Sequence, residues 1–190
     1  MINEYYQIDY QKIIQTVYKT ITELEIEQLP VSVDYITNEL WIKQIRNCDL
    51  QKPLLHLNQN GLAVLSKSKF YIIYNEKDNL QERRFTVAHE IGHILLGHLF
   101  SNPISQQEKE IREQEADIFA AFLLAPVCVI QALKLQTPEE IQSVCNMPYQ
   151  YGESYFEYQN HIYNNNVLSL LEHKTNIQFL PYIYSVNQNR

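Results

Sequence analysis

The feature that most limits what this chain can fold into is His89-Glu90-Ile91-Gly92-His93, set inside the apolar, helix-compatible run Arg84-Phe85-Thr86-Val87-Ala88-His89-Glu90-Ile91-Gly92-His93-Ile94-Leu95-Leu96-Gly97-His98. Two histidines four positions apart share one helical face, and an imidazole pair at that spacing binds one Zn²⁺. Glu90 lies on the neighbouring stripe, where a base for a water molecule belongs. A helix bearing this pattern must present one face to a ligand from elsewhere in the chain and bury the other. The chain has 4 glycines, and two of them, Gly92 and Gly97, fall inside this run. Each costs roughly 1 kcal/mol against alanine in a helix interior. Gly92, between the two histidines, implies another backbone or a ligand packed close; Gly97 marks either such an approach or the end of the helix.

Zinc in a catalytic site takes three protein ligands, so the third must come from a segment that folds back on the first helix. After Ser101-Asn102-Pro103 ends the motif helix, expected over Leu80 to Phe100, a second helix is expected from Gln107 to Ala125, stopped by Pro126. His93 lies about 7 residues, roughly 10 Å, before the end of its helix, and Glu113 about 6 residues, roughly 9 Å, into the next. An antiparallel pair puts them level. Glu113 and Asp117 share a face with Ala116, Ala120 and Leu124, small or apolar side chains that permit close approach, whereas Glu115 is expected on the other side with Ile111, Ile118 and Phe122. Level and face favour Glu113 over Glu115 and Asp117. Asp117 is the candidate acceptor for the far ring N–H of a ligand histidine, which would fix its tautomer.

The quoted run, followed by Glu113-x-x-Ala116-Asp117-x-Phe119-Ala120-Ala121-x-Leu123-Leu124-Ala125-Pro126, resembles the ImmA/IrrE family of metallo-endopeptidases. The resemblance extends, more weakly, to Leu29-Pro30-Val31 and to Phe70 to Asn75, and so covers roughly Leu29 to Pro126. It implies an intracellular zinc protease of bacterial or phage origin that cleaves a helix-turn-helix repressor and so relieves transcriptional repression. It implies His89, His93 and Glu113 as zinc ligands and Glu90 as the base. Ala125 stands where the family often has methionine, and the tyrosine-rich tail has little counterpart.

The rest of the chain sets the frame. At 190 residues one domain is expected, in three parts: an N-terminal helix over 1–28, a zinc peptidase core over 29–135, and a Tyr-rich segment over 136–190 packed on that core. Ile13, Ile14, Val17, Ile21 and Leu24 have the spacing of an amphipathic helix closed by Pro30, and Ser32 caps a shorter one to Leu40. Leu54 to Leu57, Gly61 to Leu65 and Phe70 to Tyr74 read as strands of a small antiparallel sheet, with His56 in the first as an ordinary strand residue. Thr137-Pro138-Glu139-Glu140 starts a helix, the tyrosines from Tyr149 to Tyr163 fall at near-helical spacing that suits a core, Asn164 to Asn166 form a turn, and Ile177 to Val186 is β-prone. His161 and His173 have no partner at ligand spacing. The fold class expected is α+β: a helical zincin-like core with a small antiparallel sheet beside the active-site helix.

A formal charge of −7 and a pI near 5.3 argue against nonspecific nucleic-acid or anionic-membrane binding and favour a protein partner. Cys48, Cys128 and Cys145 are scattered and odd in number, which suits a reducing compartment, and Met1 to Tyr6 shows neither a basic nor an apolar leader region. The apolar run Ile118 to Ile130 is too short to cross a bilayer and contains Pro126, so a soluble cytoplasmic protein is expected. The function expected is zinc-dependent endopeptidase, with a repressor as substrate. The rival is a binding module in which zinc staples two helices and the protein acts by sequestering its partner. Glu90 weighs against the rival, since a purely structural site has no use for a base and fills all four positions with protein ligands.

Overall fold

The computed structural model describes residues 7–55, 60–164 and 170–188. The first helix, α1 (Tyr10–Glu23), begins where the Asp9 carboxylate accepts the Lys12 N–H at 2.9 Å, and its buried stripe is Ile13, Ile14, Val17, Tyr18 and Ile21. A short α2 (Val33–Glu39), capped by Ser32, leads to β1 (Lys43–Arg46). Strands β2 (Gly61–Ser66) and β3 (Lys69–Tyr74) form a hairpin whose two turn residues, Lys67 and Ser68, both take positive φ, the geometry that matches the twist of tight hairpins.

The sheet is mixed, in the order β1-β3-β2, with β1 parallel and β2 antiparallel to β3. This corrects the all-antiparallel expectation. The extra strand, Lys43–Arg46, is four residues long and only partly buried, so it carries almost no alternation by which to find it. Leu54 and Leu55 are not in a strand, and His56, Leu57, Asn58 and Gln59 lie outside the described residues.

The sheet supports α3 (Leu80–Leu95), which carries the His-Glu-x-x-His pattern. Asn79 caps it, accepting the Glu82 N–H at 2.9 Å, and the Arg84 guanidinium fastens its first turns to the Val31 carbonyl at 2.8 Å. The helix ends at Leu95, short of the expected Phe100, because Gly97 turns into the left-handed region at φ 84° and a 3₁₀ turn follows over His98–Phe100. Of the two readings of Gly97, helix end is the one adopted.

Antiparallel to α3 runs α4 (Gln106–Leu124), capped by Ser105, and this is the central helix of the molecule. From Ile118 through Leu124 every side chain is buried, which no surface helix tolerates. Contact with α3 is set at Gly92, where a Cβ would stand 3.0 Å from Phe119 Cδ1 and 3.2 Å from Phe119 Cβ. Gly92 therefore marks close approach, as its position between the histidines implies.

The apolar run continues through Pro126 into α5 (Val127–Ala132), buried at Val127, Cys128, Val129 and Ile130. The next helix, α6 (Pro138–Cys145), opens with a reciprocal Thr137–Glu140 capping box, and α7 (Tyr149–Asn164) follows. Residues Leu170–Gln188 form α8, where the sequence suggests a strand over Ile177 to Val186. Thr175, Phe179 and Ile183 are its buried positions, four residues apart, and packing of that stripe overrides the β-branched composition. Asn165, Asn166 and the side chain of Tyr163 lie outside the described residues. One hydrophobic cluster draws on α1, α3, α4, α5 and α8 together. No described helix is long and apolar enough to cross a membrane.

Candidate metal centre

On α3, His89 and His93 face α4 one turn apart, with Nε2 atoms 3.0 Å from each other. Opposite them α4 presents Glu113, whose Oε2 lies 3.4 Å from His89 Nε2 and 3.7 Å from His93 Nε2. Among the described residues, this is the one group of three or more His, Cys, Asp or Glu side chains whose donor atoms all fall within 4.8 Å of one another.

The hydrogen bonds behind these atoms determine what they offer. Asp117 Oδ1 sits 2.7 Å from His89 Nδ1. An ionised carboxylate only accepts, so Nδ1 keeps its proton, and in the neutral ring it is Nε2 that presents its lone pair. At His93 the partner is another imidazole: His98 Nδ1 lies 3.0 Å from His93 Nδ1, and His98 Nε2 lies 3.1 Å from Glu115 Oε2. Glu115 accepts from Nε2–H, neutral His98 then accepts at Nδ1, and His93 donates from Nδ1 and presents Nε2.

Two nitrogen lone pairs and a carboxylate oxygen thus converge on one point, which only protons or a cation can satisfy. A tetrahedral ion with bonds of about 2.0–2.2 Å requires ligand atoms roughly 3.3–3.6 Å apart, close to the 3.0, 3.4 and 3.7 Å observed. The donor set of two imidazoles and one carboxylate is that of a catalytic zinc site with a fourth position open.

Charge balance follows from the same contacts. Burial opposes a proton on His89, but the hydrogen bonds to Asp117 and Glu113, with Glu90 nearby, outweigh it and push its pKa up to about 10. Hydrogen bonds from His89 and His93 hold the Glu113 carboxyl far below the usual range. Glu90 is 6 % exposed, and burial raises its pKa against the opposing pull of His89, His93 and the Ala63 backbone N–H. A carboxylate held this way takes up a proton more readily than one in water.

The centre opens on a cavity of about 460 Å³ whose lining includes His89, Glu90, His93, Glu113 and Asp117, the β2 residues Gly61 to Ala63, and Phe85 and Tyr151. Asn75 N–H donates to Asn60 O at 2.9 Å, so the β2 residues bonded to β3 are the even-numbered ones. Gly61, Ala63 and Leu65 turn their backbone groups toward the free edge of the sheet. A Cβ at Gly61 would lie 2.5 Å from Thr86 Cγ2 and 2.8 Å from Glu90 Oε1, so β2 runs tight against α3.

The structure brings His89, His93, Glu113, Glu90 and Asp117 to one place. Glu115 has a role the sequence does not suggest: from its own side of α4 this carboxylate bonds His98 at 3.1 Å and the Asp9 N–H at 3.0 Å. It lies on the flank of α4 that meets the end of α3, a contact the helical wheel of one helix does not reveal. Sequence reasoning also passed over His98, whose signal was its place five residues after His93, and Tyr151, which stacks on Phe85 at a centroid distance of 3.3 Å. Of the other tyrosines, Tyr155 is fully buried and packs edge-on against Phe122, as a core reading requires, while Tyr149 is exposed.

A His-Glu-x-x-His helix facing an acidic helix, with a buried glutamate and an edge strand on the same cavity, defines a metallopeptidase. The chain belongs to the M78 peptidases, whose IrrE N-terminal-like domain matches residues 45–165. No curated protein matches it.

Proposed function

We propose that the protein is a zinc-dependent endopeptidase that hydrolyses a peptide bond in a protein substrate, and that the substrate is a helix-turn-helix repressor whose cleavage relieves repression. The observation that carries the hydrolytic reading is Glu90, a buried carboxylate beside a three-donor cluster that leaves room for a fourth ligand. His89, His93 and Glu113 would hold the ion. Zinc bound there lowers the pKa of water and polarises a carbonyl. Glu90 takes the proton from the attacking water and delivers it to the departing amine, and its burial beside the two imidazoles suits it to both transfers. The substrate lies extended along β2, where the outward backbone groups of Gly61 and Leu65 and the Ala63 carbonyl can add it as a further strand, the Ala63 N–H being held by Glu90. Asp117 keeps His89 in the tautomer that presents Nε2. The family resemblance is what supports a repressor as the substrate, and the acidic surface fits a protein partner with no direct nucleic-acid contact.

The test is co-expression with a repressor encoded beside this chain, scored for cleavage and for release of repression. The wild type should cut and derepress. Glu90→Gln, which keeps shape but loses basicity, should retain one zinc per chain and do neither. If Glu90→Gln derepresses as well as the wild type with the repressor intact, sequestration replaces hydrolysis as the function.

A further inference from the structure

His89 is steadied directly by a carboxylate, but His93 reaches its carboxylate only through a second imidazole, and that carboxylate is itself tied to the N-terminal helix. We propose that His98 and Glu115 are positioning residues for His93, and that α1 completes the metal centre by fixing Glu115. The inference rests on the reading of His93 as a metal ligand.

The chain of contacts is continuous. Glu115 uses both oxygens: Oε2 on His98 Nε2 at 3.1 Å and Oε1 on the Asp9 backbone N–H at 3.0 Å, at the entrance to α1. The His98 and Glu115 side chains are 7 % and 14 % exposed, so water competes poorly for either. The turn that carries His98 is braced from two sides. Lys12 Nζ, from the first turn of α1, donates to the Leu96 carbonyl at 2.7 Å, and Arg112 Nη1, from α4, donates to the His98 carbonyl at 3.0 Å.

The direction of each hydrogen bond is forced by the carboxylate at the end. Glu115 can only accept, so His98 donates from Nε2 and accepts at Nδ1; His93 then donates from Nδ1 and aims Nε2 at Glu113 and His89. Removing the carboxylate's second acceptor frees His98 to reverse, and a reversed His98 sets two N–H groups against each other at the 3.0 Å contact with His93. His93 then shifts its own proton to Nε2, where it blocks the metal. Asp9 and Lys12 stand before residue 45, outside the segment that matches the peptidase domain, so α1 braces the site from beyond that segment.

The test compares full-length wild type with Glu115→Gln, His98→Ala and His98→Asn. Zinc affinity is read by competition with a chromophoric chelator, and histidine tautomers of the metal-free proteins by long-range ¹H–¹⁵N correlation. Glutamine has one carbonyl oxygen for two donors, so Glu115→Gln should weaken zinc by about 10- to 100-fold and move the His93 proton from Nδ1 toward Nε2. His98→Ala should lose as much. His98→Asn places an amide oxygen near the position of Nδ1 and should recover most of the affinity. Circular dichroism melts of the metal-free proteins separate this from damage to the fold, because the Asn and Ala variants lose the same Glu115 contact and should melt alike while differing in zinc. Wild-type zinc binding with all three variants within twofold of it, or Asn no better than Ala, overturns the relay alone. A wild type that takes up no zinc overturns the metal reading and this inference with it.

Discussion

The carboxylates around the two histidines do different work, and substitutions can separate them. Glu113 supplies a donor atom, so Glu113→Ala leaves two imidazoles and should weaken zinc by far more than Asp117→Ala, which removes only the acceptor behind His89 and should cost about 10- to 100-fold. Isothermal titration or chelator competition gives the order, and a larger loss at Asp117 would contradict it. The same cluster sets a pH dependence. His89 has a folded pKa raised from an ordinary value near 6.5 to about 10, so in the metal-free protein its stabilising contribution is complete below about pH 6.5 and lost as pH rises through about 10. Glu113 is shifted down, so its contribution is present above its ordinary value near 4.5 and lost as pH falls through the depressed one. The metal-free pair is therefore most stabilising between about pH 4.5 and about pH 6.5. Zinc must displace the proton that His89 holds, so the rise in melting temperature on adding zinc should grow from about pH 6 to about pH 8. A gain that is flat across that interval would show that no proton is displaced.

At the scale of elements, the centre depends on how closely α3 and α4 approach. Gly92→Ala gains about 1 kcal/mol of helix propensity, but its methyl meets the fully buried Phe119 at 3.0 Å from Cδ1 and 3.2 Å from Cβ, and overpacking of that kind costs about 1–3 kcal/mol. Packing should win, and because Phe119 and Glu113 ride on the same helix, the variant should melt lower and bind zinc more weakly. Ser105→Ala removes the α4 cap, costing about 1 kcal/mol, yet it should leave zinc affinity unchanged, since the cap lies about two turns from Glu113. Melting curves with zinc titrations of the two variants test the contrast, and equal zinc loss in both would deny that helix separation is what matters. These helices were legible in the sequence because their caps, glycines and spacing all agree: Thr137 with Glu140, Ser32, and Gly92 between the histidines each do in the structure what their chemistry suggests. The sheet was legible only where a hairpin wrote itself in turn residues. A four-residue strand paired in parallel has no such signature, and α8 carries β-branched residues whose helical state is imposed by Phe179 and Ile183 packing inward. His98 and Glu115 escaped because each makes sense only against the other, across the break between α3 and α4.

For the whole molecule the question is which residues suffice to hold the centre. The peptidase-domain match ends at residue 165 and begins at residue 45, leaving α1, α2 and α8 outside it. Yet α1 buries Ile13, Ile14, Val17 and Ile21 with no residual exposure, in the same cluster as Phe119 and Leu123 of the central helix. At about 1.5–3 kcal/mol for each such side chain, α1 alone contributes roughly 6–12 kcal/mol, which is comparable with the entire stability of a domain at about 5–15 kcal/mol. The Gln178 amide of α8 further ties the end of α1, donating to the Ile21 carbonyl at 3.1 Å and the Ile26 carbonyl at 2.7 Å. A fragment of residues 45–165 also exposes the apolar face of α4, and it loses the Asp9 N–H that holds Glu115. We therefore expect this fragment to show no cooperative thermal transition and to bind zinc only weakly, while the full chain melts in one step at a temperature that zinc raises. Differential scanning calorimetry of the two, with and without zinc, decides the matter: a fragment with a sharp transition and full-length zinc affinity would mean that α1 and α8 are accessories to a self-sufficient peptidase core.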